Sequence, residues 1–327
     1  MRFFLLDRVL SANMVSYLQH KDGKIVEGSP LDCSWVHVTA PLDHSELEKL
    51  SQSESIPLDF LIDSLDIDER SRYEREDDVK LIVINAPITN TDEKESDALY
   101  ITAPIGIILR GEKIVTITAS SYNVEDLFLK KKIKSADLSD QRHFVLLIFE
   151  KIVWQYLDVL KKLNLKRNLI ERELYNSSRN RELQQLLRIE KSLVYMLNSL
   201  SDNDLLKQKM KRTDFLKIRE VEDLQDLFED IIIDNSQALE MANVHTNLLN
   251  GTMEAYASII SNNLNVVIHR LTTITIALMV PTIVFSFYGM NLNLPWEDAK
   301  STPYVMIVIS IAIAFGMIAL VRRSGKL

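Results

Sequence analysis

The chain has 327 residues, of which 46% are apolar and 26% charged, and a net charge of −8. That charge density excludes a protein lying wholly within a membrane, and the acidic balance argues against nucleic acid as a partner, which selects for a basic face. The single cysteine, Cys33, excludes an intramolecular disulfide and a CxxC-type zinc site and fits a reducing compartment. The first stretch, MRFFLLDRVLSAN, is apolar only briefly and carries Asp7 and Arg8. It is not expected to act as a signal peptide, so the N-terminal mass is expected to stay on the side of synthesis.

From residue 1 to 111 glycine and proline recur, and between them lie short runs rich in β-branched and aromatic residues: SWVHVTA, VKLIVINAPI, LYITAPIGIIL and KIVTITA. These predict strands, while HSELEKLSQ and LDFLIDSLD predict short helices. An N-terminal α+β domain is expected over 1–125. From residue 112 to 250 there is no glycine and no proline. Apolar residues there recur at three and four in DQRHFVLLIFEKIVWQYLDVLKKLNLKRNLIEREL, ELQQLLRIEKSLVYMLNSL and DLQDLFEDIIIDNSQALEMANVHTNLLN. A helical hairpin region is expected over 126–212, with breaks near Ser177–Ser178 and in SLSDND at 199–204. A stalk helix follows over 213–270 and runs on through the lone Gly251. From about Thr213 to Tyr288 such a helix would measure roughly 110 Å, which suits a rod entering a membrane.

Two charge-free runs end the chain, Leu271 to Tyr288 and Tyr304 to Val321. Each is close to the length that spans a bilayer. The spacing predicts a first transmembrane helix over 271–288, an outer loop over 289–303, a second transmembrane helix over 304–321 and a basic tail over 322–327. His269 and Arg270 precede the first run, Arg322, Arg323 and Lys326 follow the second, and the loop has one cation, Lys300. The positive-inside rule then puts both termini in the cytoplasm, in a cell membrane crossed twice. Tyr288, Trp296 and Tyr304 lie where interfacial aromatics are expected.

The first run differs in kind from the second. Asn265, Ile268, Thr272, Thr275, Met279, Thr282 and Ser286 fall on one helical face with a mixed polar and small-apolar lining. A threonine in a membrane helix often bonds its own backbone, but a polar stripe faces protein or water rather than lipid. Two helices enclose no water path. If the stripe lines a pore, several copies each supply one helix and the second helix forms an outer ring; the other reading is a stripe that packs two copies together without a lumen. Pro281 frees a backbone carbonyl, useful in a pore and merely tolerated in a bundle.

At the end of that helix stands YGMN, residues 288–291. Here the sequence resembles the CorA family of divalent-cation channels, whose hallmark is a Gly-Met-Asn triplet at this place. The order of soluble domain, long helices, stalk, short outer loop, second membrane helix and basic tail matches throughout. The resemblance implies a funnel-shaped homopentamer that passes Mg2+, and also Co2+ or Ni2+. A ring of Asn291 residues would form a filter for the hydrated ion, since Mg2+ sheds its waters slowly and neutral amide oxygens accept hydrogen bonds from them. Gly289 would let the backbone turn and Met290 would brace the loop. Glu297 and Asp298 would raise the local cation concentration. The family's outer loop often reads Met-Pro-Glu-Leu where this chain has NLPWEDA, so Glu297 is read as a solvated loop charge. Carried over from the family, Asn265 becomes a second hydrated-ion site, Leu271 and Met279 apolar constrictions, and Thr282 an intermediate polar ring.

The resemblance also implies closure by cytoplasmic Mg2+ at acidic sites between subunits. Candidates are Asp223, Asp226, Asp230 and Asp234, spaced at three and four on the stalk, with Glu254 and the run TDEKESD at 91–97; a solvated acidic face is the alternative. No Walker-type stretch, catalytic pairing or metal-spaced histidines occur, so no nucleotide and no enzyme activity are expected. Two other functions stay open: a proton-coupled zinc transporter of the same superfamily, and a membrane-anchored coiled-coil tether that conducts nothing.

Overall fold

The computed structural model describes residues 15–21, 24–30, 32–91, 96–119, 124, 140–176, 180–290 and 301–323. The chain divides into two compact units, Met1–Asn250 and Gly251–Leu327. In the first, seven strands form one sheet: β1 (Val15–Lys21), β2 (Lys24–Glu27), β3 (Trp35–Thr39), β4 (Arg72–Glu76), β5 (Val79–Thr89), β6 (Tyr100–Arg110) and β7 (Lys113–Thr118). Their order is β2-β1-β3-β7-β6-β5-β4. Every neighbouring pair is antiparallel except β3 and β7, which run parallel. The four strands expected from apolar runs are β3, β5, β6 and β7. The sequence reading missed β1, β2 and β4, and β4 shows why: it reads RYERE on the sheet edge, where charges discourage further pairing rather than announce a strand.

Both faces of the sheet are covered, so β5 and β6 bury consecutive residues over most of their length. On one face α1 (His44–Glu54) and α2 (Leu58–Asp63) pack Leu47, Leu50, Phe60 and Leu61 against Val36, Val38, Leu81, Val83, Ile108 and Ile117. Asp43 starts α1 with a capping box, its carboxylate accepting from the Glu46 amide at 2.8 Å while Glu46 accepts from the Asp43 amide at 2.9 Å. Gly106 is needed where α2 comes closest: a Cβ there would lie 2.0 Å from Ser64 Oγ and 2.7 Å from Ile117 Cγ2. On the other face α3 (Gln141–Asn176) sets Phe144 edge-on to Trp35, with ring centroids 5.0 Å apart. The hydroxyl of its Tyr156 donates to the Asn85 carbonyl at 2.9 Å.

Helix α4 (Asn180–Thr213) runs unbroken through 199–204, against the expected break. Two polar residues of that stretch, Ser199 and Asn203, face the sheet instead of ending the helix. β4 pairs with β5 only from Val79 to Val83, which leaves the backbone of Asn85 beyond its end. The Asn203 amide takes the place of a strand residue: its Oδ1 accepts from Asn85 N at 3.1 Å and its Nδ2 donates to Asn85 O at 2.9 Å. Ser199 Oγ donates to Thr102 Oγ1 at 2.7 Å. Helix α5 (Glu222–Tyr288) begins later than Thr213. Asp214 and Lys217 adopt left-handed φ of 49° and 55°. The Asp214 carboxylate caps Ile218 N at 3.0 Å, and Arg219 closes the end of α4 on the carbonyls of Lys211 and Arg212. These contacts turn the chain before α5 starts. Gly251 stays helical, and α6 (Thr302–Arg323) completes the second unit.

Candidate ion pathway

Beyond Gly251, α5 is long and apolar enough to cross a membrane, and its most apolar window is not buried within the chain. A shorter apolar stretch, Pro303–Ala319, lies within α6. The few partly shielded residues of the apolar part of α5 fall on one stripe: Thr273, Ile276, Ala277, Val280, Pro281 and Val284. On α6 the corresponding stripe is Met306, Ser310, Ala314 and Ile318, every fourth residue. Small residues at Ala277, Ser310 and Ala314 are the kind that let membrane helices approach closely.

The sequence-predicted face lies elsewhere. Asn265, Ile268, Leu271, Thr272, Thr275, Met279, Thr282 and Ser286 are all exposed in the single chain, with Leu271 63% and Met279 56% exposed. At 100° per residue the centre of this face stands roughly 150° from the shielded stripe. The carbonyl freed by Pro281 is that of Ala277, which sits on the shielded side and so does not belong to the polar face.

Each threonine of the face bonds its own helix. Thr272 Oγ1 donates to Ile268 O at 2.9 Å, Thr275 Oγ1 to Leu271 O at 2.9 Å and Thr282 Oγ1 to Leu278 O at 2.8 Å. The hydroxyl proton is thereby committed, and what the side chain offers outward is oxygen lone pairs. Such a surface accepts hydrogen bonds from water and repels no cation. Apolar side chains at Leu271 and Met279 interrupt it.

At its C-terminal end α5 closes with Gly289 N donating to Phe285 O at 2.9 Å. Gly289 does not use the left-handed backbone. Its role in the structure is one of space, since a Cβ would sit 3.1 Å from the Phe285 carbonyl oxygen. Met290 is exposed. Asn291, Trp296, Glu297 and Asp298 lie outside the described residues.

In the first unit Asp223, Asp226 and Asp230 are exposed and Asp234 is half-buried, on the side of α5 away from its packed residues Leu224, Phe228, Ile231 and Ala238. Glu254, in the second unit, is exposed. Within one chain, no group of three or more His, Cys, Asp or Glu among the described residues is placed to hold a metal ion. Of TDEKESD, residues 92–95 lie outside the described residues, and Asp97 is tied to α4 by Lys191 at 3.0 Å. The structure also holds a site that spacing did not single out. Lys207 is fully buried between α3, α4 and α5, donates to Asn235 Oδ1 at 2.8 Å and lies 5.7 Å from the Phe149 ring centre. Burial pushes its amine down to about 7, with Asp204 opposing the shift. The only sequence signal was polar residues repeating at four, Ser199, Asn203 and Lys207, on a helix face otherwise apolar.

Comparisons with known proteins give the family and the fold. The cobalt/magnesium transport protein CorA of Methanocaldococcus jannaschii is 26% identical over 317 residues, covering 93% of this chain and 97% of that protein. The magnesium transport protein CorA of Helicobacter pylori is 26% identical over 245 residues, 73% of this chain and 74% of that protein. The complete structure of the CorA magnesium transporter from Methanocaldococcus jannaschii superposes with a TM-score of 0.80 at 23% identity, covering 97% of this chain and 99% of that one. The sequence profile described as CorA-like Mg2+ transporter protein matches residues 31–323, nearly the whole length, and the chain therefore belongs to that family.

Proposed function

We propose that the protein is a passive Mg2+ channel of the cell membrane, built from five copies around a shared axis and also permeable to Co2+. One observation carries this: a face of hydroxyl acceptors on α5, exposed in the single chain, runs opposite the stripe shielded within it and leads to Gly-Met-Asn. The names of the relatives, which state magnesium and cobalt, supply the ions.

In this reading residues 271–288 line the pore and 304–321 form an outer ring. The 289–303 loop lies outside and both termini lie in the cytoplasm. Asn291 meets the hydrated ion, with Gly289 and Met290 shaping its loop and Glu297 and Asp298 drawing cations to the mouth. Thr282, Thr275 and Thr272 accept hydrogen bonds from the ion's waters. Leu271 and Met279 are constrictions that block by dewetting, and Asn265 is a second hydrated-ion position. An inside-negative potential supplies about 2.3 kcal/mol per charge per 100 mV, twice that for a divalent ion, so uptake needs no nucleotide. Acidic side chains of α5 in neighbouring copies, Asp226 and Asp230 foremost, bind cytoplasmic Mg2+ and hold the pore closed.

The test is Mg2+ uptake into proteoliposomes. The wild type is expected to conduct and Asn291→Ala to lose most selectivity and flux, with Co2+ competing better than Zn2+. No wild-type flux above that of empty liposomes would leave only a tether; an Asn291→Ala flux equal to that of a conducting wild type would take Asn291 out of the filter; uptake of Zn2+ in preference to Mg2+ would make it a zinc transporter.

A further inference from the structure

Within the first unit, the packed stripe of α5 recurs at alternating steps of four and three. Six of its positions are apolar and buried: Leu224, Phe228, Ile231, Ala238, Ala242 and Leu249. The two positions that complete the repeat are Asn235 and His245. A helix that only had to pack would be apolar there too. Each exception instead meets a charged or titratable group of another helix.

Asn235 is fully buried, and its Oδ1 accepts from Lys207 of α4 at 2.8 Å. Its Nδ2 donates to Leu200 O at 3.2 Å and to Asp204 Oδ1 at 3.4 Å. From α3 the Phe149 ring centre lies 5.7 Å from the Lys207 amine. The charge acting on Lys207 is that of Asp204, which also accepts from Ser236 Oγ at 3.3 Å. Other charges on these helices are matched, Lys211 with Glu229 across α4 and α5 at 2.7 Å and Lys151 with Glu150 on α3 at 3.4 Å. The charge acting on His245 is that of Arg167 on α3. Both ring nitrogens of His245 are shielded from solvent and bond to no described residue. Arg167 holds Nε and Nη1 in the same state and donates from Nη2 to Asn168 Oδ1 at 2.7 Å.

We propose that this stripe is a proton-responsive latch, and that acidification loosens α5 from α3 and α4. A proton taken up by Lys207 places a full ammonium charge out of reach of water. One taken up by His245 adds a second cation near the Arg167 guanidinium and an N–H for which the described residues supply no acceptor. Opening of α5 relieves both. Burial holds the Lys207 amine at about 7 against its ordinary 10.5, with Asp204 opposing the shift. Opening therefore grows as pH falls from about 10 to about 7 and then levels off. Burial first, and then Arg167, hold the His245 imidazole below its ordinary 6.5, so a second increase begins below that value. Each group contributes at most about tenfold per pH unit. An effect on conduction rests on the pore proposed for α5; the latch rests on the helix contacts alone.

The test is hydrogen–deuterium exchange on the full chain in uncharged detergent without divalent ions, corrected for the intrinsic pH dependence of amide exchange. Peptides from residues 224–249 should open about tenfold or more readily at pH 7 than at pH 9, and several-fold more readily at pH 5.5 than at pH 6.5. Lys207→Met should abolish the first change and keep the second, and His245→Gln should do the reverse. If Lys207→Met fails to fold by circular dichroism, Lys207→Gln replaces it, since it keeps a donor for Asn235 and takes up no proton. Peptides of β6, inside the sheet, are the reference and should change in neither interval. Exchange needs no ion flow, so a chain that fails to conduct Mg2+ still tests the latch, while a conducting chain can still fail this test. Equal opening at every pH, changes that persist in both variants, or opening of β6 in step with α5 overturns the proposal.

Discussion

Lys207 shows how much one side chain can carry. Its amine ordinarily titrates near 10.5, and full burial lowers that to about 7. Between these values the unfolded chain holds a proton on this group that the folded chain has released. Stability therefore rises with pH from about 7 to about 10, by at most about 1.4 kcal/mol per unit, and is flat in this respect below 7. Lys207→Met removes the titration. The gap in thermal midpoint between wild type and Lys207→Met, both as full chain in detergent, should shift toward the wild type as pH climbs from 7 to 9. Parallel curves over that interval would show that Lys207 keeps its proton when buried. Asn203 acts on the same scale: one amide closes the ladder of β5 where β4 ends, which keeps α4 helical across a run of residues that, on propensity alone, reads as a break.

At the scale of elements, the two sides of α5 beyond Gly251 separate packing from chemistry. The Ala277–Val280–Val284 stripe is shielded within the chain, while the Thr272–Thr275–Thr282 face is open. Substitutions on the two should have distinct signatures. Thr282→Val keeps the side-chain volume and removes an acceptor, so Mg2+ flux in proteoliposomes should drop severalfold with the thermal midpoint unchanged. Ala277→Leu crowds the shielded stripe and should lower the midpoint, since overpacking typically costs about 1–3 kcal/mol. If Thr282→Val lowers stability and spares flux, the open face is a packing surface and the pore assignment fails.

At the scale of the whole molecule, Asp226 and Asp230 of α5 are exposed in one chain, whereas Glu229 beside them pairs with Lys211 of α4. No described cluster could hold a metal, and Asp226 and Asp230 point away from the packed side. Regulation by Mg2+ at these two residues, as proposed, would need neighbouring copies to complete the site. Asp226→Ala with Asp230→Ala should raise the internal Mg2+ concentration that halves the flux by several-fold; an unchanged inhibition curve would assign these residues to a solvated face.

Much of this architecture is written locally in the chain. The apolar runs of β5 and β6, the period near 3.6 in the long helices, the charge-free runs, the threonine face and the YGMN that follows it each depend on neighbours a few residues away, so the sequence displays them directly. Three things depended on specific contacts rather than on pattern, one of them between residues far apart. Strand β4 is charged and exists because β5 offers it an edge. Helix α4 survives 199–204 because Asn85, more than a hundred residues earlier, supplies partners for Asn203. The start of α5 is set by Arg219 reaching back to α4. The sequence by itself determined the fold class, the two apolar runs and which residues share the threonine face; tertiary structure decided which polar residues are buried and which side of α5 stays open, because burial and hydrogen-bond satisfaction are properties of contacts that a local window does not display.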